Sequence, residues 1–231
     1  MKKVNLATWL IVLIAIPATL FVGVQLPGRW YFLTSTLIIA EMLVPFFLAF
    51  EGRKPQAREL VIIAVLCALG VAGRAAFFML PQFKPVMAVA IIAGVAFGGE
   101  TGFLVGAMAM LASNILFSQG PWTPWQMFAM GIIGFLAGVL FRKGVLRRSR
   151  VSLCVFGALV AILVYGGIVD TASALLWTTN FSPKILLAYY VSGFPMNCVH
   201  AAATWLFLWF AGEPMLEKLD RIKVKYGLME S

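Results

Sequence analysis

The sequence predicts an all-α protein, a polytopic integral membrane helix bundle. Of its 231 residues, 62% are hydrophobic, the mean hydropathy is +0.96, and apolar stretches follow one another along most of the chain. A single soluble domain of this length cannot bury so much apolar surface, whereas a lipid bilayer accepts it. We therefore expect one membrane domain.

Eight apolar stretches are candidate spans, because about 20 apolar residues cross a bilayer as a helix. The first follows Lys2 and Lys3 without a small-residue cleavage site, which favours an uncleaved helix over a secretory signal. The fourth and fifth stretches also fit a re-entrant hairpin, and six complete spans therefore remain an alternative to eight. The stretches cover residues 6–26, 31–50, 60–80, 86–97, 102–117, 127–141, 151–176 and 185–210.

The basic residues predict the orientation of these spans. Fourteen Lys and Arg residues fall in segments on the same side as the amino terminus, whereas Arg29, Lys84 and Lys184 fall on the other side. By the positive-inside rule, both termini and the loop at 142–150 are cytoplasmic. The basic residues flank apolar spans and form no soluble basic stripe, which argues against a nucleic-acid partner.

Small residues form two patterns within the spans. Alanines recur every four residues in the third stretch and allow a close helix contact, either with an internal neighbour, which spacing alone favours, or with a partner subunit. Glycines concentrate in the fourth to sixth stretches, where helices can approach closely or break around a cavity. The two sets are Ala64, Ala68, Ala72 and Ala76, and Gly94, Gly98, Gly99, Gly102, Gly106, Gly131, Gly134 and Gly138.

Charged and polar groups inside the spans require partners or a wet cavity. Glu41 and Arg74 lie at similar depths, and Arg74 is interpreted as an ion-pair partner of Glu41, a substrate contact or a snorkelling side chain. His200 is interpreted as a packing residue, and because the chain has one histidine, a histidine-cluster metal site is excluded. The cysteines lack metal-ligand spacing, so we predict no metal and no cofactor.

The segment Gln119–Gln126 is the predicted centre of a substrate site. Its two tryptophans suit either the membrane interface or a ligand wall, and the neighbouring amides offer hydrogen bonds to a polar edge. Nothing there combines a nucleophile, a base and an orienting group, so no catalytic residue is predicted. The predicted substrate-binding residues are Arg74, Asn114, Gln119, Trp122, Trp125, Gln126, Asn180 and Tyr190.

From Glu59 to about Phe210, the chain resembles the substrate-binding S component of energy-coupling factor (ECF) vitamin transporters. The resemblance depends on Lys84-Pro85-Val86, on the glycines between Gly94 and Gly106, and on the tryptophan loop. It implies a six-helix core at residues 59–231, preceded by two extra spans at residues 1–58. It also implies a multi-pass protein of a prokaryotic plasma membrane that captures a vitamin, with cobalamin as the first candidate suggested by the loop and other B vitamins as alternatives.

The resemblance also implies partners, namely a transmembrane T component and two ATPase subunits. Within the family, an alanine-x-x-x-alanine motif docks the T component, and Ala64 and Ala68 match it. The chain has no Gly-x-x-x-x-Gly-Lys-Ser/Thr loop, so we expect ATP hydrolysis in the partners alone. The alternative function is a stand-alone, ion-coupled transporter of a small polar metabolite. Its ion relay would consist of Glu41, Arg74, Asp170 and His200.

Overall fold

The computed structural model describes residues 6–25, 31–49, 57–178 and 182–227, and the regular structure in these ranges is helical. Eight rods match the eight predicted stretches and are followed by a polar helix, which confirms the all-α bundle. By length and composition, five of the described rods (α1, α3, α5, α6 and α7) can cross a membrane. The helices are α1 (Leu6–Gln25), α2 (Tyr31–Ala49), α3 (Ala57–Ala76), α4 (Val86–Phe97), α5 (Gly99–Phe117), α6 (Thr123–Arg142), α7 (Arg150–Trp177), α8 (Pro183–Phe207) and α9 (Glu213–Tyr226).

The two ends of the bundle differ in chemistry. Arg142 ends α6 and Arg150 begins α7, where it forms a 2.7 Å salt bridge with Glu213 of α9. At the other end, Trp122 precedes α6, and its ring centroid lies 6.5 Å from that of Trp177, the last residue of α7. We call these the basic end and the tryptophan end.

Helix α4 is short and completely enclosed. All 12 of its residues are buried, and at about 1.5 Å per residue it is about 18 Å long, little more than half of a hydrocarbon core of about 30 Å. Its carboxyl end is held at the basic end, where Arg142 Nη1 donates to the Phe97 carbonyl oxygen over 3.1 Å. Helix α4 therefore begins, at Val86, in the interior of the bundle.

Glycines allow α4, α5 and α6 to meet backbone against backbone. A Cβ added to Gly102 would lie 2.6 Å from the Cα of Gly94 and would also collide with the backbone of Gly134. Gly98 alone separates α4 from α5, and its φ of 106° is a conformation that favours glycine. The predicted glycine-rich segment is thus a close helix junction.

The first two rods pack on the face of the bundle formed by α5 and α6. Trp9 of α1 makes an edge contact with Phe135 of α6, with ring centroids 5.0 Å apart. Glu41 of α2 accepts a 2.5 Å hydrogen bond from Thr19 of α1. The interpretation that Glu41 pairs with Arg74 is therefore wrong, because Arg74 of α3 donates to residues of α5 instead.

The alanine stripe of α3 lies on the outside of the bundle. Ala64, Ala68, Ala72 and Ala76 are all exposed, whereas Leu66 and Gly70 are buried against the neighbouring helices. The expectation that an internal neighbour covers the alanines is wrong. Helix α3 packs along α4 and α5 with its other face, since these two helices are its main neighbours in the bundle.

Candidate functional site

A hydrogen-bond network joins α3, α5 and α6 near the tryptophan end. Arg74 Nη1 donates to Ser113 Oγ at 2.8 Å and to Asn114 Oδ1 at 2.5 Å. The Asn114 amide in turn donates to Thr123 Oγ1 at 3.1 Å and to Gln126 Oε1 at 2.8 Å. The amide of Asn114, on α5, thus bonds to groups on two other helices, which explains why a polar side chain is tolerated at a position of zero exposure.

The same network fixes the loop before α6. Thr123 Oγ1 donates to Gln119 Oε1 at 2.5 Å and accepts from the Gly120 backbone N–H at 3.3 Å. The amide nitrogen of Gln119 is buried and has no hydrogen-bond partner among the described residues. The loop therefore holds a donor that a ligand can use.

The two tryptophans of the loop are both half-buried. Trp125 packs against the hydrophobic core, while Trp122 lies beside Trp177 and against Gly120. Of the predicted residues, hydrogen bonds connect Arg74, Asn114 and Gln126 directly, and Gln119 joins them through Thr123. Tyr190 is bonded elsewhere, to Thr171 Oγ1 at 2.8 Å, and Asn180 lies outside the described residues.

A second polar group lies between α7 and α8. Asn197 donates to Asp170 Oδ2 at 2.9 Å, and His200 makes an edge contact with the ring of Tyr165, with centroids 4.7 Å apart. His200 is 3% exposed, and its Nδ1 has no hydrogen-bond partner among the described residues. Asn197 and His200 are three residues apart and therefore share one face of α8, whereas no pattern in the sequence indicates Tyr165 as their neighbour.

Contacts on α8 place His200 relative to the start of α4. Thr204 Oγ1 donates to the sulfur of Met87, in the first turn of α4, at 3.5 Å. His200 lies one helical turn from Thr204 on the same face, in the direction of the tryptophan end. His200 therefore lies beyond the amino terminus of α4, in the region into which that helix points.

The loop between α3 and α4 packs against α8 near the carboxyl end of that helix. Phe207 of α8 contacts both Phe77 and Phe83 of the loop, with centroids 5.1 and 5.5 Å away. The Lys84 ammonium donates to the carbonyl oxygens of Phe77 and Leu80. Lys84 lies outside the membrane-spanning helices, and burial together with the nearby charge of Arg74 lowers its pKa.

The described residues offer no obvious metal site, since no group of three or more His, Cys, Asp or Glu side chains within the described ranges is arranged to hold a metal ion. Cys67, Cys154 and Cys198 are separate free thiols. What the site does offer is aromatic surface, neutral amides and two cations, a combination suited to binding a small molecule.

Comparison with curated proteins finds bacterial relatives named UPF0397 proteins. One from Aliivibrio salmonicida is 26% identical over 179 residues, 73% of this chain and 93% of the relative, and one from Aliivibrio fischeri matches to the same extent. Another, from Vibrio atlanticus, is 29% identical over 126 residues, 52% of this chain and 69% of the relative. No solved structure matches the chain.

A family model described as the S component of ECF-type riboflavin transporters matches residues 54–208. This range is more than half of the 231-residue chain. It contains the glycine junction, the Arg74–Asn114 network and His200 with its neighbours. The chain is therefore a multi-pass membrane protein that belongs to the ECF-type S-component family.

Proposed function

We propose that this chain is the substrate-capture subunit of an ATP-driven ECF importer for a vitamin. The observation that carries the proposal is the combination of family membership with an exposed alanine stripe on one face of α3 and a polar, aromatic site at Arg74, on another face near the carboxyl end of the same helix. The alanine stripe would contact a partner subunit and the polar, aromatic site would bind a ligand. An importer subunit that depends on the ATPases of its partners needs both.

The alanine stripe supports docking of a T component. Ala64 and Ala68 are exposed between larger exposed side chains, including Val65 at 52% and Leu69 at 46%. Small residues set between larger ones form a groove that lets another helix backbone approach closely, which is how helices associate in a membrane where lipid and protein are equally apolar.

We further propose that the tryptophan end faces outward and that both termini are cytoplasmic. The basic residues at the other end support this orientation through the positive-inside rule. Single-cysteine labelling in a cysteine-free background tests it. A cysteine at position 147 should react with an impermeant reagent only after the membrane is opened, and labelling of intact cells from outside would overturn the orientation.

Two vitamins are the first candidates for the substrate. The tryptophan loop resembles that of members assigned to cobalamin, and the description of the matching family model names riboflavin. The proposed contacts are Trp122 and Trp125 with the ligand's apolar body, and the amides of Gln119, Gln126 and Asn114 with its polar edge. Arg74, Asn180 and Tyr190 complete the proposed set.

The alternative of an ion-coupled carrier gains no support from the geometry. Its relay requires Glu41, Arg74, Asp170 and His200 to lie along one path. Glu41 is bonded to Thr19 among the first two rods, and Asp170 is held by Asn197 between α7 and α8. These two acids belong to different parts of the bundle.

Two measurements test the proposed function. Affinity purification of the tagged chain from its native cells should recover a T component and two ATPases, and uptake of the ligand should require those ATPases. Uptake that continues without them and stops when the proton gradient is collapsed would overturn the proposal. Native mass spectrometry of the purified chain identifies a copurifying vitamin directly.

A further inference from the structure

Helix α4 begins inside the bundle, and its amino terminus has no side-chain cap. The first described hydrogen bond of the helix runs from the Val89 N–H to the Pro85 carbonyl oxygen at 3.1 Å, and Pro85 makes no capping side-chain bond. The N–H groups of the first turn precede that bond and have no intrahelical acceptor. Val86 is only 2% exposed, and a buried helix end of this kind needs an acceptor from elsewhere.

Two cations lie next to this helix end. Lys84 is two residues before Val86, and Arg74 follows Gly73, which packs against Pro85. Arg74 donates only to the neutral groups of Ser113 and Asn114. Within the described residues, neither cation takes part in a salt bridge.

The salt bridges of the described residues lie instead around the basic end and along α9. On the α7–α8 side of the site, the Asp170 carboxylate is held by Asn197, and Tyr165 and His200 contact each other. The two cations and this one carboxylate leave an excess of one positive charge.

His200 supplies an independent indication of a ligand. It is buried, its Nδ1 has no partner among the described residues, and it lies one turn beyond the Thr204–Met87 contact at the first turn of α4. It is also within electrostatic range of Arg74 and Lys84. A buried polar atom without a partner is costly, so an unused imidazole nitrogen in this region is a candidate contact for a ligand group.

We propose that the transported molecule carries an anionic group, a phosphate or a carboxylate, that sits on the amino terminus of α4 between Arg74, Lys84 and His200. An anion accepts hydrogen bonds from the free backbone N–H groups, is stabilised by the positive end of the helix dipole, and balances the excess charge. The apolar body of the molecule extends toward the tryptophans. This inference rests on the proposed function, because it specifies the substrate class of the same site.

Pairs of probes that differ only in an acidic group test the inference on the parent protein. Suitable pairs are riboflavin 5′-phosphate with riboflavin, and nicotinate with nicotinamide. In calorimetry on the ligand-free chain in detergent, we expect the acidic member of at least one pair to bind roughly ten- to a hundredfold more tightly, the size expected for charge-assisted hydrogen bonds. Phosphate and carboxylate pairs distinguish the two kinds of anion.

Variants locate the effect. Arg74→Gln should reduce the preference for the acidic member roughly tenfold or more. His200→Phe keeps a ring against Tyr165 and should reduce the preference while the thermal midpoint stays close to that of the parent. The matched control is Arg148→Gln at the basic end, where the arginine pairs with Asp220. This variant should show the same preference for the acidic member as the parent.

Failure of the inference can be told apart from failure of the proposed function. If the chain copurifies with the T component and the ATPases but holds a neutral vitamin, or binds both members of every pair equally, the anion-site inference is wrong and the importer proposal is still supported. If the chain binds an anionic ligand but has none of these partners, the importer proposal is wrong and the anion-site inference is still supported. A ligand-free chain that binds none of the probes at millimolar concentration also overturns the anion site.

Discussion

Two sets of regularly spaced small residues lie on neighbouring helices and have opposite surroundings. On α3, Ala64 and Ala68 are exposed along the outside of the bundle. On α4 and α5, Gly94 and Gly102 are buried, and their backbones contact each other and Gly134. Ala64 and Ala68 are four residues apart on α3, as are the buried Gly102 and Gly106 on α5, and only the position of each helix in the bundle differs.

The difference shows that small-residue spacing predicts a close helix contact but does not identify the partner. Helix α4 is enclosed by its neighbours because it is short and lies between α3, α5 and α6, so the glycines meet helices of the same chain. Helix α3 lies at the edge of the bundle, and one of its faces is left without an internal neighbour. The four predictions that follow test this contrast.

The largest effect is expected for Gly102→Val, which places a branched side chain against the backbones of Gly94 and Gly134. Because backbone atoms cannot move aside, the cost should exceed the roughly 1–3 kcal/mol of ordinary overpacking. The measurement is the yield and thermal midpoint of the purified chain. A variant as stable as the parent would show that the junction is not closely packed.

Ala68→Leu should leave the thermal midpoint nearly unchanged, because the side chain points out of the bundle. It should weaken association with the T component roughly ten- to a hundredfold, since a docking helix then meets roughly 1–3 kcal/mol of overpacking. Ala202→Leu, at an exposed alanine of α8, is the matched control and should not affect association. Loss of the folded chain with Ala68→Leu would instead assign the stripe to an internal contact.

Trp125→Ala tests whether the glycine-packed helices α4, α5 and α6 also form the ligand-binding site at the tryptophan end of the bundle. Removing one large, partly buried ring should weaken ligand binding roughly ten- to a hundredfold, which corresponds to roughly 1–3 kcal/mol. Calorimetry on the folded variant measures this. If Trp125→Ala and Asn114→Ala both bind like the parent, the loop is an interfacial anchor and not part of the site.

The smallest effect is expected for Gly167→Ala in α7. A Cβ there meets nothing within 4 Å, so replacement should stabilise the chain slightly, by about 0.4–1 kcal/mol, by reducing the entropy of the unfolded state. The thermal midpoint should rise by a small amount. A decrease comparable to that of Gly102→Val would mean that all helical glycines of this chain are packing sites, and the contrast would disappear.

Much of the candidate site was predictable because it depends on local chemistry. Asn114, Gln119 and Gln126 are polar groups next to apolar spans, and such groups need partners wherever they lie. What the sequence could not give is the choice of partner. Arg74 and Glu41 have similar depths, but their helices are not adjacent in the bundle, so depth alone led to an ion pair that does not form. Tyr165 and His200 meet only because α7 and α8 pack together.

The sequence by itself determined that this is an all-α membrane bundle, where its eight rods lie and which family it resembles, because hydrophobic span length, charge distribution and short motifs are properties of the chain. Only the tertiary structure decided that α4 begins inside the bundle and which small-residue stripe is covered. These features depend on which helices become neighbours. That choice is made by packing between segments far apart in sequence, and no local pattern records it.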